Sequence, residues 1–259
     1  MVTEQQLLSW LKNGYLHIRS FYSLEEIARI RDWTDELKNL PEEKGKWMLY
    51  YEESLADKSK MVCRIENFLP YHPGFDGLLS DNDLLETIGQ LIGERPSLFK
   101  EKINFKLAGG NGFSPHQDAP AFSLFDQPYH VTVMICIDPC TKENGCLEVA
   151  AGRHMEGLLA QEPNGDISKT LVNELIWEQL PAIEGDVIIF DSFIPHRSGP
   201  NRADKPRSAV FATYNRLSDG NRRNDYFDAK RLYFPPENER DPLKNYSLNN
   251  PFNLGNPIK

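Results

Sequence analysis

His116 and Asp118 stand two residues apart in the stretch Phe113-Ser-Pro-His-Gln-Asp-Ala-Pro-Ala121, between two extended runs. In an extended chain the side chains at i and i+2 leave on the same side. An imidazole and a carboxylate then converge on one point. A His-x-Asp alone carries little, because most histidines serve structure, and this chain has six: His17, His72, His116, His130, His154 and His196. His196 adds weight. It follows an apolar, strand-like run and a proline in Phe190-Asp-Ser-Phe-Ile-Pro-His-Arg-Ser. Its separation from His116 lets two distant strands meet on facing sheets. Two imidazoles and one carboxylate on one face of an octahedron leave three positions open, the ligand set of non-haem Fe(II) oxygenases.

Arg207 lies at the start of the next apolar run, after a turn through Gly199-Pro200-Asn201. That turn is expected to bring its strand back beside the one before it, with Arg207 pointing into the same pocket. A guanidinium there can hold the far carboxylate of a dicarboxylate by two parallel charge-assisted hydrogen bonds. Ser198 can add a hydroxyl. Each residue alone has a plainer reading, Arg207 as a surface cation and Ser198 as a turn residue. The five in this order are much harder to produce by accident.

The elements that must position these groups follow along the chain. Thr3 caps a helix over 3–13 that Gly14 ends, and Tyr15–Ile18 reads as a strand. Ser23-Leu-Glu-Glu is a capping-box pattern, opening a helix with Leu24, Ile27, Ile30, Trp33 and Leu37 on one face and Pro41 as its stop. Residues 43–60 read as an irregular loop carrying Trp47, Tyr50 and Tyr51, either pinned to the surface or serving as a lid. Val62–Phe68 is strand-like and sets Arg64 and Glu66 on the face opposite Cys63 and Ile65. The pair either lines a pocket or sits on a solvated face. Asp81–Ile92 is a second amphipathic helix. Over Lys102–Leu107, Ile103, Phe105 and Leu107 alternate with Lys102, Asn104 and Lys106. Strands are expected at Tyr129–Ile137, Val187–Phe190 and Ser208–Tyr214; 171–180 fits helix or strand; a helix is expected over Asn224–Leu232, with coil to Lys259. Many short strands joined by turns over 100–217 imply an antiparallel sandwich or barrel.

At 259 residues, with 40% hydrophobic and 26% charged residues, the chain can bury its own core. The net charge of −9 argues against a nucleic-acid or anionic-membrane surface. Cys63, Cys136, Cys140 and Cys146 contain no CxxC spacing and fit reduced thiols in a cytoplasmic protein. The polar start reads as no signal peptide, and no apolar run approaches the ~20 residues that span a bilayer.

The segments His116-Gln117-Asp118, Asn144-Gly145-Cys146-Leu147, Gly152-Arg153-His154, Glu184-Gly185-Asp186 and His196-x-Ser198 onward to Arg207 resemble the phytanoyl-CoA dioxygenase family over roughly residues 100–217. The resemblance implies a mainly β fold with flanking α-helices. Its core would be a double-stranded β-helix, or jelly-roll, in a single oxygenase domain: a mainly helical flank over 1–99, the core over 100–217, and a C-terminal helix and coil over 218–259. It implies Fe(II) on His116, Asp118 and His196, and 2-oxoglutarate held by Arg207, Ser198 and Lys102, with O2 as the oxidant. Because related halogenases lack the carboxylate, Asp118 implies hydroxylation rather than halogenation.

Three stretches, Lys102-Ile-Asn-Phe-Lys, His116-Gln-Asp-Ala-Pro-Ala-Phe and Tyr129-His-Val-Thr, resemble bacterial members of the family that hydroxylate aminoalkylphosphonates, such as 2-aminoethylphosphonate or its N-methylated form. Such a zwitterion needs cationic or N–H donors at its phosphonate and a carboxylate or aromatic face at its amine. Arg64, Lys102, Lys106, Arg153 and Arg216 are candidates for the first, and Glu66, Tyr50, Tyr51 and Tyr214 for the second. Asn104 shares the face of Lys102 and Lys106, and the sequence does not choose which of the three meets co-substrate and which substrate. Another small natural product or amino-acid-like metabolite is the main competing substrate. A non-catalytic jelly-roll binding protein would differ by lacking O2-dependent succinate release, and a cupin-like isomerase would not need Arg207. A small-molecule substrate is the expected partner, and a homodimer is compatible with the sequence.

Overall fold

The N-terminal helix α1 spans Glu4–Asn13, with Thr3 and Gln6 forming a reciprocal capping box and Gly14 ending it at φ 77°. Strand β1 is Tyr15–Ile18. Helix α2, Leu24–Lys38, is opened by the capping box of Ser23 and Glu26 and buries Ile27, Ile30 and Leu37. Leu24, expected on the buried face, is exposed instead, because it occupies the first position of the helix. The computed structural model describes residues 1–246, 250–253, 255 and 258. The coil expected at 247–249, 254, 256, 257 and 259 lies outside the described residues.

Two strands follow, β2 at Met48–Glu53 and β3 at Lys60–Glu66, paired antiparallel. The first corrects the expected loop over 43–60: Tyr50 and Tyr51 belong to an edge strand, and Trp47 immediately precedes it. Helices α3, Pro73–Leu79, and α4, Asn82–Ile92, lead to the long strand β4 at Pro96–Lys106. The remaining strands are β5 at Phe113–His116, β6 at His130–Cys136 and β7 at Leu147–Val149, then β8 at Glu178–Leu180, β9 at Val187–Asp191, β10 at His196–Ser198 and β11 at Arg207–Arg216. Helix α5 is Lys169–Glu174 and α6 is Arg223–Tyr233. The stretch over 171–180 therefore resolves into both readings, the end of α5 and then β8.

The strands form a seven-stranded sheet, in the order β1-β9-β6-β11-β4-β3-β2, and a four-stranded sheet, β5-β10-β7-β8. Inner-face side chains of the large sheet (Met134, Cys136, Ile188, Phe190 and Ala209) pack on Leu147, Val149 and Leu180 of the small one. The opposite face of the large sheet carries Ile65, Ile103, Phe105, Val131, Val133, Ile135, Val187 and Ile189 against Trp10, Ile27, Ile30, Phe75, Leu84 and Ile88 of the helices. Strand β6 is thus covered on both faces and is buried at every residue, which is why its sequence is a near-continuous apolar run. This is the jelly-roll core with flanking helices.

The turn after His196 does something other than the sequence suggested. Strands β10 and β11 lie in different sheets, not side by side. The connection over 199–206 crosses from one sheet to the other, so Arg207 reaches the pocket from the facing wall. Asn201 fixes the crossing: its Nδ2 donates to the carbonyls of Lys106 and Lys205.

Candidate active site

Strand pairing brings the first two candidate ligands together. His116 and His196 are Cα partners in the antiparallel pair of β5 and β10, and their ring centroids lie 4.2 Å apart. Asp118 follows at the start of a 3-10 turn over Ala119–Phe125, with φ −76° and ψ −30°. It joins the histidines by a turn after the strand ends, rather than by strict strand alternation. Its Oδ1 is 3.9 Å from Nε2 of each histidine, and one ligand atom from each of the three residues lies within 4.8 Å of the others. All three side chains are buried.

The orientation of the rings fits a metal. Nδ1 of His116 is 2.6 Å from the carbonyl of Ser114, and Nδ1 of His196 is 3.1 Å from the carbonyl of Ile194. A backbone carbonyl can only accept, so each Nδ1 carries the proton and each Nε2 presents a lone pair to the centre. Burial pushes the His116 pKa down to about 3, with His196 adding to the shift; burial also lowers that of His196. Burial alone would raise the Asp118 carboxyl, but His196, Lys100 and Lys102 hold it well below the usual range. Two neutral imidazoles and one carboxylate are the protonation states that ligation needs. The second oxygen of Asp118 accepts from Thr132 Oγ1 at 3.2 Å. Thr132, in a run of β-branched residues, left no sequence signal for this part.

Gln117 points away from the centre and ties the wall together. Its Nε2 donates to the carbonyls of Gly157 and Phe193, and its Oε1 accepts from Leu159 N at 2.9 Å. Asp186, from the Glu184-Gly185-Asp186 segment, is also structural: it accepts from Ser20 N, Ile183 N and Arg19.

A cavity enclosing roughly 520 Å³ of space between atoms opens from the three residues along the sheets, with Lys102, Asn104, Lys106, Phe113, Ser198 and Arg207 in its lining. Lys106 and Arg207 are Cα partners in the pairing of β4 with β11. Lys106 Nζ donates to Ser198 Oγ at 2.8 Å and to the Gly199 carbonyl at 2.6 Å. Arg207 donates to the Gly145 carbonyl at 2.7 Å, while its buried Nε has no hydrogen-bond partner among the described residues. Burial and then Arg207 push the Lys106 pKa well down. Two basic side chains and a hydroxyl thus gather away from the histidines, with Arg207 Nε the donor left over among the described residues. Lys102 points into the same cavity nearer its middle, with Nζ over the Phe211 ring.

The remaining candidates divide. Arg64 and Glu66 face inward, 2% and 1% exposed. Arg64 Nε donates to Asn104 Oδ1 at 2.9 Å, and Glu66 Oε1 accepts from Lys230 Nζ at 2.8 Å. Tyr50 is also inward, but its hydroxyl is committed to the Phe234 carbonyl and its ring stacks on Phe234. Tyr51 faces the other way, packed on the helix-covered core under Lys60. Tyr214 is likewise outside the cavity: it shares the outward face of β11 with Val210 and Ala212, opposite to Arg207, and its hydroxyl donates to Leu79 O. Arg216 lies beyond it, over Tyr129 and donating to Ile92 O. Arg153 is spent on Glu156. Tyr214 and Arg216 both stand an odd number of positions from Arg207 on β11, so the alternation that aims Arg207 inward sends them outward.

The C-terminal end touches the site at two described points. Ser114 N donates to Gly255 O at 2.9 Å, and Ile258 lies beside Arg64, Asn104 and Phe113.

Comparison with known proteins bears on the family and the fold. The phytanoyl-CoA dioxygenase (PhyH) family model matches residues 10–209. A 2-aminoethylphosphonate dioxygenase from an uncultured bacterium is 46% identical, covering 99% of this chain and 98% of its own. A methylphosphonate hydroxylase from Gimesia maris is 37% identical over 90% of this chain and 88% of its own. Among solved structures, EctD from S. alaskensis with 2-oxoglutarate and 5-hydroxyectoine superposes with a TM-score of 0.72 at 20% identity, covering 84% of this chain and 77% of that one, a likeness of fold. On the family match and the full-length relative together, this chain belongs to the phytanoyl-CoA dioxygenase family.

Proposed function

We propose that this chain is an Fe(II)- and 2-oxoglutarate-dependent dioxygenase that hydroxylates a C–H bond of a small aminoalkylphosphonate, with 2-aminoethylphosphonate as the first choice. The observation that carries the reading is the convergence of His116, Asp118 and His196 with both Nε2 atoms free to ligate. The phosphonate-acting names of the two relatives support the substrate class.

In this reading the whole chain, 1–259, works as one domain, and the three residues hold Fe(II) on one face. Fe(II) held by these residues, together with 2-oxoglutarate, would supply the oxidative chemistry, decarboxylation to succinate and CO2 coupled to insertion of one oxygen atom of O2 into the substrate C–H. The protein's own part is positional. Arg207, Lys106 and Ser198 take the far carboxylate of 2-oxoglutarate, which their spacing along facing strands supports. Lys102 stands between that end and the metal. Arg64, Glu66 and Asn104 shape the substrate side, and Phe113 and Phe211 exclude water from the middle. A reducing, cytoplasmic setting accords with the four free, buried cysteines. Among the described residues, no helix is long and apolar enough to cross a membrane.

The test is anaerobic loading with Fe(II) and then 2-oxoglutarate, watching for the weak visible charge-transfer band of the chelate, followed by O2 and 2-aminoethylphosphonate. The expected result is a band, succinate formation stimulated by the phosphonate, and a hydroxylated product by NMR. A band without stimulation discards the substrate; no band in iron-loaded protein overturns the co-substrate assignment.

A further inference from the structure

Lys100 sits two positions before Lys102 on the inward face of β4, 7% exposed. Its Nζ lies 4.7 Å from the centroid of the Phe122 ring and 5.3 Å from that of Tyr226. Among the described residues, no carboxylate lies within ion-pairing distance of it and no acceptor takes a hydrogen bond from it. A buried ammonium with aromatic walls and no acceptor is costly, and such a group is kept where something else satisfies it.

The charges around it show what is missing. Arg64, Lys100, Lys102 and Lys230 stand against two carboxylates, Glu66 and Asp118. Glu66 spends Oε1 on Lys230 and Arg64. Asp118 belongs to the metal centre. Divalent iron and the dianion of 2-oxoglutarate would cancel each other, leaving more basic groups than carboxylates among the described residues there. In a low-dielectric space that excess favours an anion strongly. Arg207 and Lys106 gather at one end of the cavity that Lys102 also lines; Lys100 stands outside that lining, two positions before Lys102 on the same strand.

We infer that Lys100 is an anchor for the anionic head group of the substrate, acting with Lys102 and Arg64 on the neighbouring strand. The inference rests on the proposed function and deepens it: the head group is a phosphonate or a tetrahedral oxyanion of similar charge. The rings of Phe122 and Tyr226 hold the ammonium and keep water from competing for it. Phe122 lies in the same short turn that begins at Asp118, which ties the anion site to the metal centre and fixes how far from the metal the head group can sit.

The test titrates iron- and 2-oxoglutarate-loaded protein under nitrogen with 2-aminoethylphosphonate and, separately, with inorganic phosphate, for wild type, Lys100→Met and Lys100→Arg. Lys100→Met is expected to bind both anions at least about tenfold more weakly, the scale of a lost charge-assisted contact, and Lys100→Arg to recover most of the loss. In air the KM for 2-aminoethylphosphonate should rise with the binding constant, while the KM for 2-oxoglutarate moves less than about twofold. Without added anion, Lys100→Met should melt no lower than wild type, since it removes an unpaired buried charge. Equal anion binding by wild type and Lys100→Met overturns the assignment, whatever happens to turnover. If wild type binds phosphate through Lys100 but ignores 2-aminoethylphosphonate, the anchor stands and the aminoalkylphosphonate reading falls. If wild type binds neither anion, both fall.

Discussion

His116 and His196 face each other directly across the β5–β10 pair, each with Nδ1 against the carbonyl two residues before it, Ser114 and Ile194. One strand register therefore sets the distance between two ligands, and two local hydrogen bonds set their tautomers. The site is built into the sheet before any metal arrives.

Removing one ligand should then cost metal binding more than folding. His116→Ala and Asp118→Ala are expected to lose stoichiometric iron and all substrate-stimulated succinate formation. Wild type should gain about 2.7 kcal/mol of stability at a metal concentration 100 times Kd, and the variants should lose that gain. Melting with and without Fe(II) under nitrogen reads the difference; an unchanged metal-induced shift in either variant rules out the triad.

The second end of the cavity predicts a different signature. Arg207→Ala or Lys106→Met should raise the KM for 2-oxoglutarate by about ten- to a hundredfold, since a hydrogen bond to a charged group contributes roughly 1.5–3 kcal/mol. Lys106→Met should have a larger effect than Lys102→Met, because Lys106 sits on Ser198 while Lys102 lies over Phe211. Initial rates at varied 2-oxoglutarate separate the three variants.

Gly145 links that end to the crossing connection. It holds φ +74°, and an added Cβ would lie 2.1 Å from the Gly199 carbonyl oxygen and 3.0 Å from Lys106 Nζ. Gly145→Ala should destabilise the protein by more than the roughly 1–3 kcal/mol of the backbone strain alone and also raise the KM for 2-oxoglutarate. Gly45→Ala, at φ +82° with nothing within 4 Å, carries the backbone term only. Chemical denaturation of both variants gives the comparison.

His130 predicts a pH dependence of stability. Burial, followed by the charge of Lys100, pushes its pKa down to about 3, against about 6.5 in an unfolded chain. The folded state therefore binds fewer protons than the unfolded state between those values. Its contribution is present in full above about pH 6.5 and is lost as the pH falls towards 3, at up to about 1.4 kcal/mol per pH unit. Metal-free protein should melt progressively lower from pH 7 to pH 5, and His130→Gln, though less stable at pH 7 for lost packing on Phe99 and Phe122, should show a shallower slope. An unchanged slope in that variant would remove His130 from the account.

The sequence by itself determined whatever is local. A cap at Thr3 and a capping box at Ser23 gave two helices, apolar runs gave β6, β9 and β11, and i, i+2 alternation on β4 separated Ile103 and Phe105 from Lys102, Asn104 and Lys106. The order of His116, Asp118, His196, Ser198 and Arg207 was enough to name the chemistry, because ligand types and their order are written in the chain. Tertiary structure decided whatever depends on which strand meets which. Register put His116 opposite His196 and Lys106 beside Arg207 and Ser198. The crossing from β10 to β11 brought Arg207 in from the opposite wall, and with Arg207 inward the alternation of β11 sent Tyr214 and Arg216 outward. Lys100 became visible only once the inward face of β4 was seen to hold more cations than its neighbours can neutralise. The physical reason is the same throughout: side-chain direction repeats locally, whereas pairing and charge balance are properties of elements distant in the chain.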